Sequence, residues 1–265
     1  MSIVHRDVKL VEKRDLGGDI FKLTFEAADM AAKLEPGNFV HIRTSKYLDP
    51  FFRRAMSILS AESDRFSVFF RVVGRGTKLM SETPEGELMD VVGPLGNLFT
   101  LPRPDETAIL VAGGTGMPPL HFLTRRFIEK SIIPGDQIVF LCGISSSRDK
   151  AIAEYPESLG IRLEISSDDG SIGYNGFVTE LLEKELKTRG VDKLRVYSCG
   201  PEQMLREVAR ICLEYGAECE VSLEGDMPCG VGTCLGCVKE AKDKKDEFLR
   251  VCKEGPVFDI REVKI

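Results

Sequence analysis

Four cysteines near the C-terminal end constrain this chain more than any other feature of its sequence. They follow the spacing Cys229-x4-Cys234-x2-Cys237-x14-Cys252. Three glycines lie among the first three cysteines, at Gly230, Gly232 and Gly236. Glycine lets the backbone fold tightly enough for three thiolates to converge, with N–H groups turned toward the sulfur atoms. The segment therefore predicts a metal centre held by four thiolates.

The spacing favours a [2Fe–2S] cluster, which needs four thiolate ligands. Plant-type ferredoxins use the same C-x4-C-x2-C run followed by a distant fourth cysteine. Structural zinc is the alternative, but zinc sites usually carry a second pair of cysteines, and here only Cys252 follows. We predict that the cluster ligands are Cys229, Cys234, Cys237 and Cys252. The alternative from another class of protein is a zinc-stapled scaffold without catalytic activity.

The length and composition of the chain indicate a globular protein of two domains with a small appendage. The chain has 265 residues, of which 43% are hydrophobic, and a mean hydropathy of −0.08. No apolar run is long enough for a membrane span, and the first residues do not resemble a secretory signal. The net charge of −6 argues against nucleic-acid binding, which needs clustered positive charge. We expect a cytoplasmic protein with no membrane or nucleic-acid partner.

Residues 1–101 show the alternating pattern of β-strands. Apolar side chains recur at every second position in Phe21–Phe25, Phe39–Ile42 and Phe66–Phe70. Glycine- and proline-containing breaks separate these runs at spacings typical of an antiparallel sheet or small barrel. This region is predicted to be an all-β domain.

Residues 102–222 change to short buried strands that alternate with helices. The predicted strands are Ile109–Ala112, Gln137–Cys142, Arg162–Ile165 and Lys193–Ser198, with a helix from about Pro118. Such alternation predicts a doubly wound parallel sheet, in which ligands bind beyond the carboxyl ends of the strands. Residues 223–265 form the third part, the predicted cluster module, and its charged run Lys239–Glu247 is interpreted as a solvated hairpin tip.

Several short motifs in the first two parts suit phosphate and flavin binding. Arg54-Ala55-Met56-Ser57 and Gly74-Arg75-Gly76-Thr77 offer a cation, a hydroxyl and glycines where backbone must approach a pyrophosphate. Each motif alone could be only a turn or a strand start. In this order, followed by Gly93–Gly96 and Gly113–Leu120, they resemble the ferredoxin–NADP reductase superfamily, in which a six-stranded FAD barrel precedes a nicotinamide-nucleotide domain. The resemblance implies FAD contacts at Arg54, Ala55, Met56, Ser57, Arg71, Val72, Val73, Gly76 and Thr77.

The same resemblance implies where a nicotinamide nucleotide binds. Gly113-Gly114-Thr115-Gly116 follows a predicted strand and precedes a helix, whose N-terminus can receive a pyrophosphate. Ser198-Cys199-Gly200-Pro201 follows another strand, and in relatives its cysteine lies beside the nicotinamide. We therefore predict Cys199 as a nicotinamide neighbour with Gly200 and Pro201 as NAD contacts, whereas Cys142, Cys212 and Cys219 are interpreted as packing residues.

Asp168 and Asp169 end the strand Arg162–Ile165 and bear on the choice between NAD and NADP. Acidic side chains there would repel a 2′-phosphate and could bind a free ribose 2′-hydroxyl, which favours NAD. Arg148 could still reach a phosphate, and the acidic pair also suits an Asp-Gly turn. NAD is therefore the predicted substrate nucleotide.

Within the superfamily, a cluster held in about forty residues resembles the family of electron-transfer subunits of dihydroorotate dehydrogenase B. Arg54–Ser57, Asp168–Gly173, Met227–Cys237 and Arg250–Phe258 carry this resemblance, and Met56 departs from the stacking tyrosine common in the superfamily. It implies an FMN-containing catalytic partner subunit, in a heterotetramer of two of each, that oxidises dihydroorotate in pyrimidine biosynthesis. Electrons would pass from FMN through [2Fe–2S] and FAD to NAD⁺. The alternative is the reductase subunit of a ferredoxin–NAD(P) transhydrogenase, sulfide dehydrogenase, hydrogenase or sulfite reductase.

Overall fold

Alternating apolar side chains build a closed, six-stranded antiparallel barrel at the start of the chain. The structure, a computed structural model, describes residues 3–242, 244 and 246–265. The barrel strands are β1 (Val4–Asp15), β2 (Ile20–Glu26), β3 (Phe39–Ile42), β4 (Arg54–Glu62), β5 (Arg65–Arg71) and β6 (Leu88–Leu95), with short helices α1 (Ala28–Ala31) and α2 (Arg75–Glu82) between them. Their order is β1–β2–β5–β4–β3–β6, and pairing of β6 with β1 closes the barrel.

Strand β3 shows how the alternation divides the two faces of the barrel. Val40 and Ile42 point into the barrel core, whereas Phe39 packs outward into the core shared with the rest of the molecule. His41 follows the same alternation as Phe39, and its ring lies 5.9 Å from the Phe39 ring. All four residues are buried, so the outer face of β3 is covered as well as its inner face.

The second part is a doubly wound sheet with helices on both faces. Its strands are β7 (Thr107–Gly113), β8 (Ile138–Ile144), β9 (Arg162–Ser167), β10 (Tyr174–Asn175), β11 (Leu194–Cys199) and β12 (Glu218–Ser222). Its helices are α3 (Met117–Glu129), α4 (Lys150–Glu157), α5 (Val178–Arg189) and α6 (Glu202–Tyr215). The parallel order is β10–β9–β8–β7–β11–β12. Helices α5 and α6 pack on one face and α3 and α4 on the other, which confirms the predicted fold class.

The C-terminal part is small but not separate. It contains a two-stranded hairpin, β13 (Val238–Glu240) with β14 (Phe248–Arg250), and then β15 (Val257–Asp259), which pairs antiparallel with β12. The last strand therefore completes the seven-stranded sheet. Two residues of the predicted solvated tip, 243 and 245, lie outside the described residues. The domain boundaries at 101/102 and 222/223 stay predictions.

One apolar core joins all three parts. It includes Phe39 and Leu95 from the barrel, Val111 and Val196 from the sheet, and Val251 from the cluster module. Burial of these side chains fixes the relative positions of barrel, sheet and module, because separating them would expose the shared apolar surface to water. Within the described part of the chain, no helix has the length and apolarity needed to cross a membrane.

Candidate functional site

The loop from Cys229 to Cys237 turns backbone N–H groups toward sulfur, as a cluster site requires. Each of the four predicted ligand sulfurs accepts such a contact. The N–H of Gly232 lies 3.1 Å from Sγ of Cys252, and those of Cys234, Gly236 and Cys252 lie 3.4 Å from Sγ of Cys229, Cys234 and Cys237, respectively. Donors aimed at sulfur stabilise the thiolate form that binds iron.

Three backbone features produce this arrangement. Gly230 and Gly232 have φ angles of +70° and +82°, which residues with a Cβ rarely adopt, and Leu235 also has a positive φ of 58°. At Gly236 a Cβ would lie 2.9 Å from Cδ of Pro228, so that position has no room for a larger side chain. The loop geometry therefore depends on the glycines that the sequence placed between the cysteines.

The four thiols form two pairs. The backbone N–H of Cys234 contacts Sγ of Cys229, and the backbone N–H of Cys252 contacts Sγ of Cys237. A [2Fe–2S] cluster takes two protein ligands on each iron, so two pairs of thiols suit it. The described residues contain no group of three or more His, Cys, Asp or Glu side chains arranged to hold a single metal ion.

The thiols differ in how readily they ionise. Burial acts to raise the pKa of Cys229, but backbone N–H groups of Val231, Cys234 and Thr233 outweigh it and lower the pKa to about 6. Burial and the adjacent Cys237 thiol raise the pKa of Cys252 to about 12. Cys229 thus ionises near neutral pH, whereas the Cys252 thiolate needs the positive charge of bound iron.

The two halves of the predicted flavin motif meet at the N-terminus of α2. A Cβ at Gly76 would lie 2.6 Å from the guanidinium carbon of Arg54, so the side chain of Arg54 passes directly over this glycine. Thr77 Oγ1 accepts from the N–H groups of Val73 and Gly74 at 3.0 and 3.2 Å. An arginine beside a helix N-terminus attracts an anion such as a pyrophosphate.

The adjacent arginines Arg53 and Arg54 differ in their partners. Arg53 forms a bidentate pair with Asp90, at 2.9 and 2.6 Å. Arg54 Nη1 instead donates to the carbonyls of Phe52 and Arg53 and so keeps its charge for a ligand. This difference agrees with the prediction that Arg54 is the phosphate-binding arginine.

The other predicted flavin residues lie on both faces of the barrel. Ala55 packs outward against the shared core, and Met56 is nearly buried within the barrel core. Ser57 pairs with Phe39 across β3 and β4, Val72 follows β5, and Val73 is exposed. Flavin contacts at these five positions stay predictions, as do those at Arg54, Arg71, Gly76 and Thr77.

A cleft of about 670 Å³ lies where the barrel faces the carboxyl ends of the sheet. It is lined by Gly18, Asp19, Arg71, Gly113–Gly116, Ser145, Ser146, Arg148, Asp149, Gly200, Pro201 and Glu224. Arg71 joins its walls by donating to Asp149 and to the carbonyl of Gly18, both at 2.8 Å. The cleft has the size of a nucleotide site and the position expected in an open α/β sheet.

Two glycine turns form the floor of this cleft and pack on each other. A Cβ at Gly116 would collide with the carbonyl of Cys199, and a Cβ at Gly200 would lie 3.0 Å from the Cα of Gly113. Cys199 is 2% exposed, and burial together with the charge of Glu224 raises the pKa of its thiol. Cys199 therefore remains a neutral thiol at neutral pH and packs in the apolar core. It is not among the residues that line the cleft, and its contact with a nicotinamide stays a prediction.

Asp168 and Asp169 follow β9, one strand farther from the cleft. Asp169 Oδ1 accepts from the N–H and hydroxyl of Ser171, at 2.9 and 2.6 Å, in an Asx-type turn. Neither aspartate is among the residues that line the cleft, whereas Arg148 is. Their contact with a ribose stays a prediction.

Several residues of the cleft were not found by sequence reasoning. Ser145 and Ser146 follow the carboxyl end of β8, so the rule that ligands bind beyond strand ends could have indicated them. Gly18 and Asp19 lie in the β1–β2 turn, and Glu224 follows β12. Nothing local in the sequence connects the barrel turn with the cleft.

Two models of known families match parts of the chain. Residues 224–264 match the model of the iron-sulfur cluster binding domain of dihydroorotate dehydrogenase B. Residues 110–210 match the model of an oxidoreductase NAD-binding domain. The prediction of an iron–sulfur module is thereby confirmed, in place of the zinc scaffold.

Solved structures show the same fold. An NADH-dependent reduced ferredoxin-NADP oxidoreductase superposes with a TM-score of 0.83 at 26% identity, over 97% of this chain and 89% of the other. The ferredoxin NADP⁺ reductase from Neisseria gonorrhoeae with bound FAD and NADP has a TM-score of 0.69 at 15% identity, over 80% and 92%. The second likeness shows the fold alone.

Curated relatives cover nearly the whole chain. The dihydroorotate dehydrogenase B (NAD(+)), electron transfer subunit of Bacillus mycoides (strain KBAB4) is 34% identical over 96% of both chains. The protein of the same name from Desulforamulus reducens is 34% identical over 95% of both. With this identity over almost the full length, the chain belongs to the family of dihydroorotate dehydrogenase B electron transfer subunits.

Proposed function

We propose that this chain is the electron-transfer subunit of an NAD-dependent dihydroorotate dehydrogenase in pyrimidine biosynthesis. The observation that carries the proposal is that three sites occur in one molecule with a shared apolar core. They are the cysteine sulfurs that accept backbone N–H contacts, Arg54 beside Gly76 at the N-terminus of α2, and the nucleotide-sized cleft. When bound, [2Fe–2S] passes single electrons, NAD(H) exchanges a two-electron hydride, and FAD converts between the two. This requirement explains why a single chain carries all three sites.

The chain's own residues place these sites next to one another. Ala55, inside the flavin motif, packs against the core that contains the ligands Cys237 and Cys252. Arg71, at the end of β5, borders the nucleotide cleft at the same end of the barrel at which β4 begins, because β4 and β5 are antiparallel. The barrel therefore borders both the cluster module and the nucleotide cleft, which supports FAD as the intermediate carrier.

The cluster loop also leaves one side open for a partner. Cys234 is exposed, and the neighbouring apolar side chains Val231 and Leu235 are 42% and 59% exposed. Electrons can enter only where a donor approaches the cluster closely, and exposed apolar side chains favour contact with another protein. The partner we propose is an FMN-containing catalytic subunit, in a heterotetramer of two copies of each chain.

The nucleotide and compartment complete the proposal. We favour NAD over NADP because the curated relatives are named as NAD(+) enzymes and because Asp168 and Asp169 follow β9. Arg148, which lines the cleft, is the residue that could instead bind a 2′-phosphate. A reducing cytoplasm suits the chain, because none of its eight cysteines forms a disulfide and four must remain available to iron.

Reconstitution tests this function. The chain is purified anaerobically with the FMN-containing subunit of the same organism, and NADH formation from dihydroorotate is measured, with each subunit alone as a control. We expect turnover only with both subunits, more efficient with NAD⁺ than with NADP⁺, and a complex whose mass by light scattering equals two copies of each. A pair that binds but does not turn over dihydroorotate would contradict the proposal.

One observation favours a second candidate. The superposition with an NADH-dependent reduced ferredoxin-NADP oxidoreductase, at 26% identity over 97% of this chain, suits a reductase subunit of a ferredoxin-linked enzyme. That function predicts NAD(P)H-dependent reduction of ferredoxin in the presence of a different partner. Ferredoxin reduction without any dihydroorotate activity would move the assignment to this second candidate.

A further inference from the structure

His41 is a buried side chain whose hydrogen-bonding capacity is unused. The residue is 1% exposed, and neither ring nitrogen has a hydrogen-bond partner among the described residues. The backbone of Met227 approaches the ring closely enough to act to raise the pKa of His41, but neither ring nitrogen reaches hydrogen-bond geometry with it. A buried polar group without a partner destabilises the folded protein, so such a group usually serves a ligand or a buried water.

The imidazole lies between the flavin barrel and the cluster loop. On the barrel side, His41 pairs with Ala55 of the flavin motif across β3 and β4. On the other side, a Cβ at Gly230 would lie 2.7 Å from both Cε1 and Nδ1 of His41. The ring therefore packs directly on the backbone of the residue that follows the ligand Cys229.

The loop is shaped to accept this ring. Position 230 requires glycine for two reasons. Its φ is +70°, and the imidazole occupies the space that a Cβ would fill. Phe39 holds the ring from its other side, with the ring planes inclined at 70°. Burial and the positive charge of Arg53 lower the pKa of His41 to about 4, so the ring is neutral and carries one N–H donor.

We propose that His41 is a positioning residue of the iron–sulfur site, which donates its ring N–H to the sulfur shell of the cluster and thereby raises the reduction potential. Reduction adds negative charge to the cluster, and a hydrogen bond to sulfur stabilises that charge. The residue acts from the flavin barrel, so it also couples the cluster loop to the strand next to the flavin motif. The inference rests on the cluster ligands and not on the identity of the partner.

The test compares variants of the full chain loaded with both FAD and cluster. His41→Leu removes the donor, His41→Gln retains an N–H donor, and Phe39→Leu disturbs the same packing without touching the imidazole. The cluster midpoint potential is measured by anaerobic redox titration with electron paramagnetic resonance detection. The flavin potentials are measured in the same titration by absorbance.

We expect His41→Leu to disfavour cluster reduction about tenfold, which is about 59 mV more negative for a one-electron couple. His41→Gln should recover most of this shift, Phe39→Leu should leave the cluster potential unchanged, and flavin potentials should stay constant in all three. If His41→Leu assembles no cluster, His41→Asn, whose shorter amide ends nearer β3, replaces it in the comparison with His41→Gln.

Three results would overturn the inference. The first is an unchanged cluster potential in a fully loaded His41→Leu or His41→Asn variant. The second is a shift of the cluster potential in Phe39→Leu as large as that in His41→Leu. The third is a shift of the flavin potential in place of the cluster potential. The measurement requires neither dihydroorotate nor a partner subunit. A failed reconstitution with the partner would therefore leave this test intact, and a failed test here would leave the proposed function standing.

Discussion

At the scale of single residues, identical side chains have different roles because their surroundings differ. Cys229 has a pKa lowered to about 6 by backbone donors, whereas burial raises the pKa of Cys142 to about 12. Arg53 is neutralised by Asp90, whereas its neighbour Arg54 is directed at the α2 N-terminus. The spacing of the cysteines predicts which residues are the ligands, but the charge state of each thiol depends on N–H groups that only the folded loop aligns.

A cysteine substitution separates the two electron-transfer roles. Cys234→Ser should reduce partner-linked transfer by more than about a hundredfold, since even residues outside the ligand shell of a metal site cost about 10- to 100-fold. NADH oxidation by an artificial two-electron dye should stay near the wild-type rate, because it needs only the flavin and nucleotide sites. Both rates are measured on anaerobically purified protein.

Cys142→Ala is the matched control for this prediction, because Cys142 is a fully buried thiol outside the cluster loop. It should retain both activities. Equal loss of the two activities in Cys234→Ser would show that the cluster loop also supports the flavin or nucleotide site, against the division of roles described here.

At the scale of elements, helix α3 combines a nucleotide-binding end with a buried core face. Its first turn follows the Gly113–Gly116 segment, and Pro118 and Pro119 suit a first turn because the backbone N–H groups there have no partner within the helix. The sequence correctly predicted a helix from about Pro118. The sequence did not predict that α2 begins at Arg75, because the motif Gly74–Thr77 is equally typical of a turn.

His121 in α3 makes the stability of this element dependent on pH. It is 5% exposed and faces the Tyr155 ring at 5.8 Å, and burial together with the charge of Arg125 lowers its pKa to about 3. The unfolded chain takes up a proton below about pH 6.5, but the native chain does not until about pH 3. Stability from this residue is therefore full above pH 6.5 and is lost as the pH falls toward 3.

We expect His121→Leu to lessen this loss by about 2 kcal/mol at pH 5, from roughly 1.4 kcal/mol per pH unit below 6.5. Urea unfolding at pH 7.5 and pH 5 measures the difference against wild type. Leu123→Ala, a buried non-titrating change in the same helix, should destabilise the protein equally at both pH values. A His121→Leu variant with the wild-type pH dependence would contradict the assignment of this effect to His121.

At the scale of the whole molecule, the C-terminal segment connects the barrel, the sheet and the cluster module. Strand β15 joins the sheet beside β12, and the preceding segment is held by Asn97 at the exit of the barrel. Asn97 Nδ2 donates to the carbonyls of Glu254 and Val257 at 2.8 and 2.7 Å, and its Oδ1 accepts from the N–H of Val257 at 2.9 Å. One side chain thus fixes the cluster module against the barrel.

Removing this side chain tests the connection. Asn97→Ala should lower the free energy of unfolding by about 3 kcal/mol, from three lost hydrogen bonds at about 1 kcal/mol each, and should speed loss of the cluster. Thermal unfolding and bleaching of the cluster absorbance measure the two effects. Asn175→Ala, at an exposed asparagine of β10, should change neither. Unaltered cluster retention in Asn97→Ala would show that the shared apolar core suffices.

The sequence by itself determined the features that depend on local order. These are the spacing of the cluster cysteines, the period-2 runs of β2, β3 and β5, and the alternation of strands and helices from β7 onward, because ligand spacing and hydrophobic period act within a short stretch of chain. The tertiary structure alone decided which distant residues meet. His41 on Gly230, Asn97 on Val257 and Arg71 on Asp149 join segments that are 78 or more residues apart. No local pattern encodes such contacts, since they follow from burying one apolar core common to barrel, sheet and cluster module.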